Sequence, residues 1–194
     1  MTNLFILFFL IFLLLIALIV LFILLLRISS LSFTGAPYIQ IPEAVLPAIV
    51  KVLGLKGDSK LYDLGCGDGR VLIAAYRSQE LDLSASDAKY IGIDNAIFPV
   101  FVARQKIKKL GLPPPINIIK KDLFKTDLTD ATHIFIYLYP KLVNALLPKF
   151  ERELKSGTKV VSCDYKFEKK ESVQIINLNR HAGSLGKFLY VYKF

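Results

Sequence analysis

The segment LYDLGCGDGR, residues 61–70, contains the residue types best suited to bind a ligand through the main chain. Glycine occupies positions 65, 67 and 69, and Asp63 precedes the glycines. Glycine lets the backbone turn sharply and approach a ligand closely, and open α/β sheets bind ligands at the carboxyl ends of their strands. A nicotinamide-binding loop would have the spacing G-x-G-x-x-G, which this segment lacks. The pattern therefore predicts a ligand-binding loop of another type.

These residues resemble motif I of the seven-strand S-adenosylmethionine-dependent methyltransferases, and two further landmarks of that family follow in order. Asp94 ends the segment IGID, and Asp122 stands in KDLF after the next predicted strand. The resemblance covers residues 37–194 and implies that the cofactor is S-adenosylmethionine, with the Asp94 carboxylate accepting the ribose hydroxyls and Asp122 near the adenine. Tyr38 and Gln40 are expected to fold over the cofactor. The residues implied for cofactor binding are Tyr38, Asp63, Gly65, Cys66, Gly67, Gly69, Asp94, Asn95, Asp122 and Leu123.

Shorter segments resemble a narrower group within that family. It comprises small protein lysine methyltransferases with an N-terminal membrane segment, whose mitochondrial members modify the ATP synthase c-subunit and the adenine nucleotide translocase, together with their prokaryotic relatives. The chain departs from this group in having no tryptophan and in the length of its polar segment 79–88, and both departures fall in regions that could touch the substrate. The matching segments are PYIQIP, KDLFKTDL, IYLYPKL, LLPKFERELKSGTKVVS and LYVYKF.

The same resemblance places Tyr137, Tyr139 and Pro140 beside the methyl acceptor. Methyl transfer from a sulfonium is an in-line displacement on an activated carbon, so that alignment and exclusion of water suffice without a covalent catalyst. Aromatic faces hold an ammonium group by cation–π attraction, and a desolvated amine near an acid can lose its proton before attack. We expect Asp127 to be that acid or to orient the substrate. The alternative for the two tyrosines is a structural role, packed under a helix.

Alternating apolar patterns predict the elements that position these residues. Strands separated by helices of about 10 to 15 residues indicate βαβ units and a mainly parallel sheet. The last two strands have no helix between them, so they should pair as an antiparallel hairpin at one edge. The predicted fold class is α/β, with a Rossmann-like seven-stranded sheet preceded by one transmembrane helix. Strands are predicted at 60–64, 89–94, 116–120, 132–138, 159–164, 173–177 and 187–192, and helices at 42–53, 69–77, 96–110 and 141–154.

Residues 4–26 form an uninterrupted apolar run of 23 residues without a charge. As a helix this run is about 34 Å long, enough to cross a hydrocarbon core of about 30 Å. A cleavable signal peptide is the alternative, but such a peptide has basic residues at its start and a shorter apolar stretch than this one. Arg27 weakly favours a cytoplasmic location for the C-terminal domain. We predict a single-pass anchor at 1–27, a linker at 28–36 and a methyltransferase domain at 37–194.

The chain has 25 basic and 16 acidic residues in 194, a formal net charge of +9, and its length corresponds to about one domain. Much of the excess lies between residues 104 and 121, which include no acid. This basic segment could be a solvated face, could contact anionic lipid, or could bind nucleic acid. No metal site is expected, because the cysteines and histidines lack ligand spacing. The basic residues are Arg104, Lys106, Lys108, Lys109, Lys120 and Lys121, and the cysteines and histidines are Cys66, Cys163, His133 and His181.

Three functions remain open on the sequence alone. The first is a membrane-tethered enzyme that N-methylates a lysine of a membrane or membrane-associated protein, because confinement to the membrane raises the effective concentration of such a substrate. The second keeps the cofactor but methylates a lipid or a quinone-type molecule. The third is a non-catalytic, membrane-tethered module that binds the cofactor or nucleic acid, which the intact acids and glycines disfavour.

Overall fold

The computed structural model describes residues 2–34, 39–79, 87–111 and 116–194. The chain divides into two compact units, Met1–Pro37 and Tyr38–Phe194. Tyr38 and most of the polar segment 79–88, both singled out in the sequence, lie outside the described residues.

The first unit contains one helix, α1 (Thr2–Thr34). Within it, Leu4–Leu25 has a mean hydropathy of 3.7 and none of its side chains is buried. Among the described residues, this is the one helix that could cross a membrane by length and composition. The helix continues to Thr34, so the segment expected to be a linker is helical over most of its length.

The second unit is built on one seven-stranded sheet, with the strand order β3-β2-β1-β4-β5-β7-β6. Strands β1 to β5 are parallel, and β7 pairs antiparallel with both β5 and β6. The predicted seven-stranded sheet and its antiparallel hairpin at one edge are confirmed. The strands are β1 (Lys60–Leu64), β2 (Lys89–Asp94), β3 (Ile116–Lys120), β4 (His133–Ile136), β5 (Lys159–Cys163), β6 (Gln174–Asn177) and β7 (Phe188–Lys193).

Helices cover both faces of this sheet, which is why its central strands are buried on both sides. One apolar core lies under three helices and includes Ile49, Leu72 and Ala103. The other lies under the remaining helix and includes Leu146 and Phe150. The helices are α2 (Leu46–Leu53), α3 (Arg70–Gln79), α4 (Ile97–Lys109) and α5 (Pro140–Glu153), and single 3-10 turns span Glu43–Val45 and Leu123–Lys125.

Strand β4 is shorter than the predicted range 132–138. Its pairing with β1 ends where Ile136 lies opposite Leu64, because the residue that follows Leu64, Gly65, turns away from the sheet with a φ of 80°. Tyr137 and Leu138 therefore leave the ladder, and the side chain of Tyr137 lines a crevice beside the glycine loop.

Candidate active site

The glycine loop connects β1 to α3 at the carboxyl edge of the sheet. The amides of Gly65 and Cys66 both donate to the carbonyl oxygen of Ile93 on β2, at 2.8 and 3.1 Å. All three glycines have positive φ, of 80°, 54° and 75°. A Cβ atom at Gly65 would lie 2.7 Å from Cδ2 of Leu138. The backbone conformation disfavours a side chain at all three positions, and at Gly65 there is also no space for one. The loop therefore presents its main chain to the crevice.

The carboxylate of Asp94 is held against this loop. Its Oδ2 accepts a hydrogen bond from the Gly67 amide at 3.0 Å, and its Oδ1 accepts one from the Ala96 amide at 2.9 Å. Burial raises the pKa of Asp94, and the amide donors oppose that rise. Each carboxylate oxygen has two lone pairs, so both oxygens retain capacity to accept a ligand hydroxyl.

Asp63 lines the crevice from a buried position, with 3% of its surface exposed, the same fraction as Asp68. Burial raises its pKa well above the ordinary value, and the nearby negative charges of Asp94 and Asp68 raise it further. A cationic ligand bound beside Asp63 would lower this raised pKa, because a nearby positive charge favours the ionised carboxylate.

Asp68, within the loop, was not singled out from the sequence. Its carboxylate lies 2.7 Å from an Arg70 guanidinium nitrogen and 2.5 Å from the Lys106 ammonium nitrogen. Burial opposes its ionisation, but the hydrogen bonds from these two cations outweigh burial and lower its pKa to about 2. Arg70 also donates to the carbonyl oxygen of Ile41 at 2.8 Å. The network therefore links the loop to α4 and to the segment before α2.

That segment forms one wall of the crevice. Ile39, Gln40 and Ile41 lie opposite the glycine loop, as expected for Gln40. The full lining is Ile39, Gln40, Ile41, Asp63, Gly65, Cys66, Gly67, Asp68, Arg70, Val71, Phe135 and Tyr137.

Cys66 contributes to the crevice from a buried position. Its Sγ lies over Gly92 of β2, where a Cβ atom would approach it to 2.8 Å. Burial raises the pKa of its thiol, and the charge of Asp63 raises it further. Cys66 is therefore a neutral packing group, and Gly92 is required to leave room for it. The third loop glycine, Gly69, lies close to Ala103 of α4.

Asp122 caps the 3-10 turn Leu123–Lys125, and its Oδ1 accepts a hydrogen bond from the Phe124 amide at 2.9 Å. The neighbouring Lys121 amide donates to the carbonyl oxygen of Asp94 at 3.0 Å. Asp122 is therefore close to the end of β2. Leu123 packs against the core under α5, and Asn95 is exposed beside Asp94.

Three tyrosines gather at the carboxyl ends of β4 and β5. Tyr137 lines the crevice, and the rings of Tyr139 and Tyr165 are stacked with their centroids 6.4 Å apart. Burial raises the pKa of Tyr137, and the charge of Asp164 raises it further. The expected pair of tyrosines is thus found at this edge, together with Tyr165, which the sequence reasoning missed.

Asp164 was also missed. It has a φ of 62°, unusual for a residue with a side chain, and its carboxylate accepts hydrogen bonds from the amides of Gly186, Lys187 and Phe188 at 2.7, 2.6 and 3.2 Å. These bonds hold the start of β7 against the end of β5. Nothing in the local sequence signals this contact, because its partners lie 22 to 24 residues away.

Asp127 is not brought to the crevice. Its side chain is exposed, and Oδ1 accepts a hydrogen bond from the Thr129 amide at 2.9 Å. The hydrogen bonds from Thr129 lower its pKa. The carboxylate closes a local turn between Asp122 and β4 and is not part of the crevice lining, and a role for Asp127 beside the acceptor stays a prediction.

The basic segment is not uniformly a solvated surface. Arg104 donates twice to the carbonyl oxygen of Ile118, at 3.1 and 2.8 Å, and so satisfies an acceptor of β3. Lys106 pairs with Asp68. Lys108, Lys109, Lys120 and Lys121 are exposed. Within the described parts of the chain, no cluster of three or more potential metal-binding side chains occurs.

The crevice fits S-adenosylmethionine by the chemistry of its donors. The main chain of the glycine loop is accessible, two acids with raised pKa favour a positively charged ligand, and the Asp94 carboxylate can accept hydroxyl groups. When bound, this cofactor supplies a methyl group activated by a sulfonium.

Comparisons with known proteins agree with this geometry. The sequence model of the ANTKMT methyltransferase domain matches residues 63–174. A protein-lysine N-methyltransferase of Saccharolobus islandicus is 30% identical over 156 residues, which are 80% of this chain and 92% of that protein. The human lysine N-methyltransferase of the ATP synthase c-subunit is 25% identical over 131 residues, 68% of this chain but 52% of that protein. This chain thus spans about half the length of the human relative.

Among solved structures, an RNA methyltransferase from Salinibacter ruber in complex with S-adenosyl-L-homocysteine is similar, with a TM-score of 0.70 and 28% identity. The match covers 80% of this chain and 93% of that one. Together with the glycine loop, the acids at the strand ends and the strand order, these findings show that this chain belongs to the ANTKMT methyltransferase domain family and is an S-adenosylmethionine-dependent methyltransferase.

Proposed function

We propose that this enzyme N-methylates a lysine side chain of a membrane or membrane-associated protein, and that Leu4–Leu25 holds it at the membrane. The observation that carries the lysine assignment is the position of Tyr137 in the crevice lining, with the stacked rings of Tyr139 and Tyr165 at the same edge of the sheet. Two features support it: an archaeal relative named a protein-lysine N-methyltransferase, and the affinity of aromatic faces for an ammonium group.

For the cofactor, we assign the loop amides and the carboxylates of Asp63, Asp94 and Asp122. Asp94 would accept the ribose hydroxyls, Asp122 would lie near the adenine, and Asp63 would face the positive end of the cofactor. The remaining residues assigned to cofactor binding are Tyr38, Gly65, Cys66, Gly67, Gly69, Asn95 and Leu123.

For the acceptor, we assign Tyr137 and Tyr139, with Tyr165 as the stacking partner of Tyr139. The rings would orient the lysine ammonium and shield the reacting amine from water, which favours loss of its proton before attack. Asp164 is a positioning residue in this proposal, since it holds β7 against β5 beside Tyr137. Asp127 has no part in it.

A protein acceptor in a membrane is supported by two relatives besides the archaeal one. Their names assign them the lysines of the ATP synthase c-subunit and of the adenine nucleotide translocase. The apolar helix would confine the enzyme with such substrates. Arg27 favours a domain on the cytoplasmic side, or on the corresponding inner side of an organelle.

The test is transfer of a radiolabelled methyl group from S-adenosylmethionine by the full-length protein to membranes of its own source, followed by separation of protein, lipid and RNA. We expect label in a protein band that yields methyl-lysine on hydrolysis, and no label with the Asp94→Ala variant. Label in the lipid fraction would assign the lipid or quinone alternative. Label in RNA would assign the acceptor class named for the Salinibacter ruber structure.

Replacement of Leu4–Leu25 tests the tether. An unrelated transmembrane helix of the same length should preserve both membrane association and labelling, whereas deletion of residues 1–26 should preserve cofactor affinity and abolish labelling of membrane-bound acceptors. Loss of cofactor affinity in the deletion variant would instead mean that α1 is required for the fold of the catalytic unit.

A further inference from the structure

The outer face of α4 is unusually apolar at one end and basic at the other. Phe98, Phe101, Gln105 and Lys108 follow one another at spacings of three and four residues and therefore share one side of the helix. Phe98 is 71% exposed, Phe101 is 57% exposed, and the adjacent Ile97 is 70% exposed. Large apolar side chains clustered on a surface indicate an interaction site.

The charges around this face have one sign. No acidic residue occurs between Asp94 and Asp122. Since Arg104 and Lys106 are used within the domain, the cations available to a partner are Lys108, Lys109, Lys120 and Lys121. None of these four takes part in the ion pairs found among the described residues.

We propose that this α4 face (Ile97, Phe98, Phe101, Lys108 and Lys109) docks on an anionic lipid surface, with the apolar side chains at the boundary between headgroups and acyl chains. Aromatic side chains prefer that boundary, and clustered lysines are attracted to anionic headgroups. Charge complementarity therefore selects an anionic bilayer as the occupant. This contact would add to the proposed membrane attachment through Leu4–Leu25. It rests on that attachment only because the attachment keeps the catalytic domain close to lipid.

The α4 face lies next to the edge of the sheet that carries the crevice. Helix α4 begins three residues after Asp94, at the carboxyl edge of the sheet, and Lys121 is hydrogen-bonded to Asp94 through the main chain. Docking through the apolar end of α4 would therefore place the edge that carries the crevice near the membrane surface, where a lysine of a membrane protein would lie.

The absence of tryptophan from the sequence makes this contact measurable. Phe101→Trp introduces a single fluorescent reporter at the centre of the α4 face, and Ile175→Trp is a matched control, because Ile175 is 60% exposed on β6 at the opposite edge of the sheet from β3. The full-length variants are reconstituted into phosphatidylcholine vesicles with or without a phosphatidylserine fraction of about one third. Bromine-labelled acyl chains in the same vesicles quench a tryptophan that enters the bilayer boundary.

We expect strong quenching of the Phe101→Trp reporter in the anionic vesicles, weak quenching in phosphatidylcholine alone, and no quenching of the Ile175→Trp control in either. Adding Lys108→Glu and Lys109→Glu to the first variant should reduce the docking equilibrium by about fivefold or more for each lysine. Equal quenching of the two variants would overturn the proposal, as would an unquenched Phe101→Trp variant in vesicles that retain the protein. Protection of the α4 reporter only after an acceptor membrane protein is added would also overturn it and assign the face to a protein partner.

Retention of the protein by the vesicles is measured separately, by flotation. A protein that fails to float contradicts the proposed tether, whereas a Phe101→Trp variant that floats without quenching contradicts the docking alone. The two failures are therefore distinguishable.

Discussion

The two halves of the sheet hold their polar groups by different means. In the half formed by β1, β2 and β3, main-chain amides fix two carboxylates. Asp94 accepts hydrogen bonds from the amides of Gly67 and Ala96, and Asp122 accepts one from the Phe124 amide. In the half formed by β4, β5 and β7, the Tyr139 ring stacks on Tyr165, and Asp164 binds amides from a distant hairpin. Contacts within or next to the adjoining loops thus fix the first group, and contacts between segments more than 20 residues apart fix the second.

The largest effect should come from Asp94 in the first half. Asp94→Ala removes both the proposed ribose acceptor and the hydrogen bonds that Asp94 accepts from the amides of Gly67 and Ala96, and hydrogen bonds to charged groups contribute about 1.5–3 kcal/mol each. We expect cofactor affinity, measured by calorimetry, to fall by more than about 100-fold while circular dichroism shows the folded sheet. The cofactor affinity of Asp94→Asn, which keeps one oxygen acceptor, should fall less. An unchanged affinity for Asp94→Ala would remove this residue from the site.

The glycine loop gives the next largest effect, now on stability. Gly65→Ala combines a left-handed backbone, which costs about 1–2 kcal/mol, with a contact of 2.7 Å to Leu138, for which overpacking adds about 1–3 kcal/mol. Gly183→Ala is the matched control, since its φ is 81° and its Cβ would meet nothing within 4 Å. Urea denaturation should show a larger loss for Gly65→Ala, and Leu138→Ala should recover part of it. Equal losses in the two variants would contradict the steric argument.

Tyrosine substitutions test the second half. Tyr139→Phe should lower kcat by about tenfold, which is less than the roughly 100-fold minimum for a group that transfers a proton, because the ring stays and only the hydroxyl group is lost; cofactor affinity should be unchanged. Asp127→Asn is the control for a polar group outside the crevice, and its kcat and KM should match those of the parent. If Tyr139→Phe weakens the cofactor and leaves kcat intact, Tyr139 belongs to the first half.

The smallest effect is a pH dependence that arises from Asp63. Its pKa is raised by burial in the free protein, and a cationic cofactor lowers it by favouring the carboxylate, so cofactor affinity should increase with pH until the free-state pKa is passed. In the cofactor-free protein, stability depends on pH with the opposite sign. Because the folded state binds the Asp63 proton more tightly than the unfolded state, the free energy of unfolding falls as pH rises from the ordinary Asp pKa to the raised pKa of the folded state. Asp63→Asn should flatten both profiles. Calorimetry and thermal unfolding between pH 5 and 8, the range over which proteins are commonly most stable, check this.

The contrast between the halves also explains what the sequence could predict. Strands β1, β2 and β3 match their expected ranges, because a glycine follows the end of β1 and a charged residue ends both β2 and β3. Asp63, Asp94 and Tyr137 were correctly expected near one edge, since parallel strands bring their carboxyl ends together. The early end of β4 depends on the turn at Gly65 in another strand, and no local pattern encodes it.

Contacts across long separations could not be predicted for the same reason. The pair of Asp68 and Lys106 joins residues 38 apart, and the Asp164 bonds join β5 to β7. Asp127 was singled out for its residue type, and its role in the turn depends on the hydrogen bond that it accepts from the Thr129 amide. The exposed apolar end of α4 was also not anticipated, because apolar positions in a helix ordinarily face the core.

The position of β7 between β5 and β6 has a consequence for biosynthesis. Among the described residues, the strand that pairs with β6 is β7, so β6 cannot join the sheet until residues 188–193 have left the ribosome. The parallel strands β1 to β4 precede it in the sequence and can pair earlier, which leaves β5 with an open edge during synthesis. The edge of the sheet formed by β5, β7 and β6 is therefore the last part to be assembled, after the strands that carry Asp63 and Asp94.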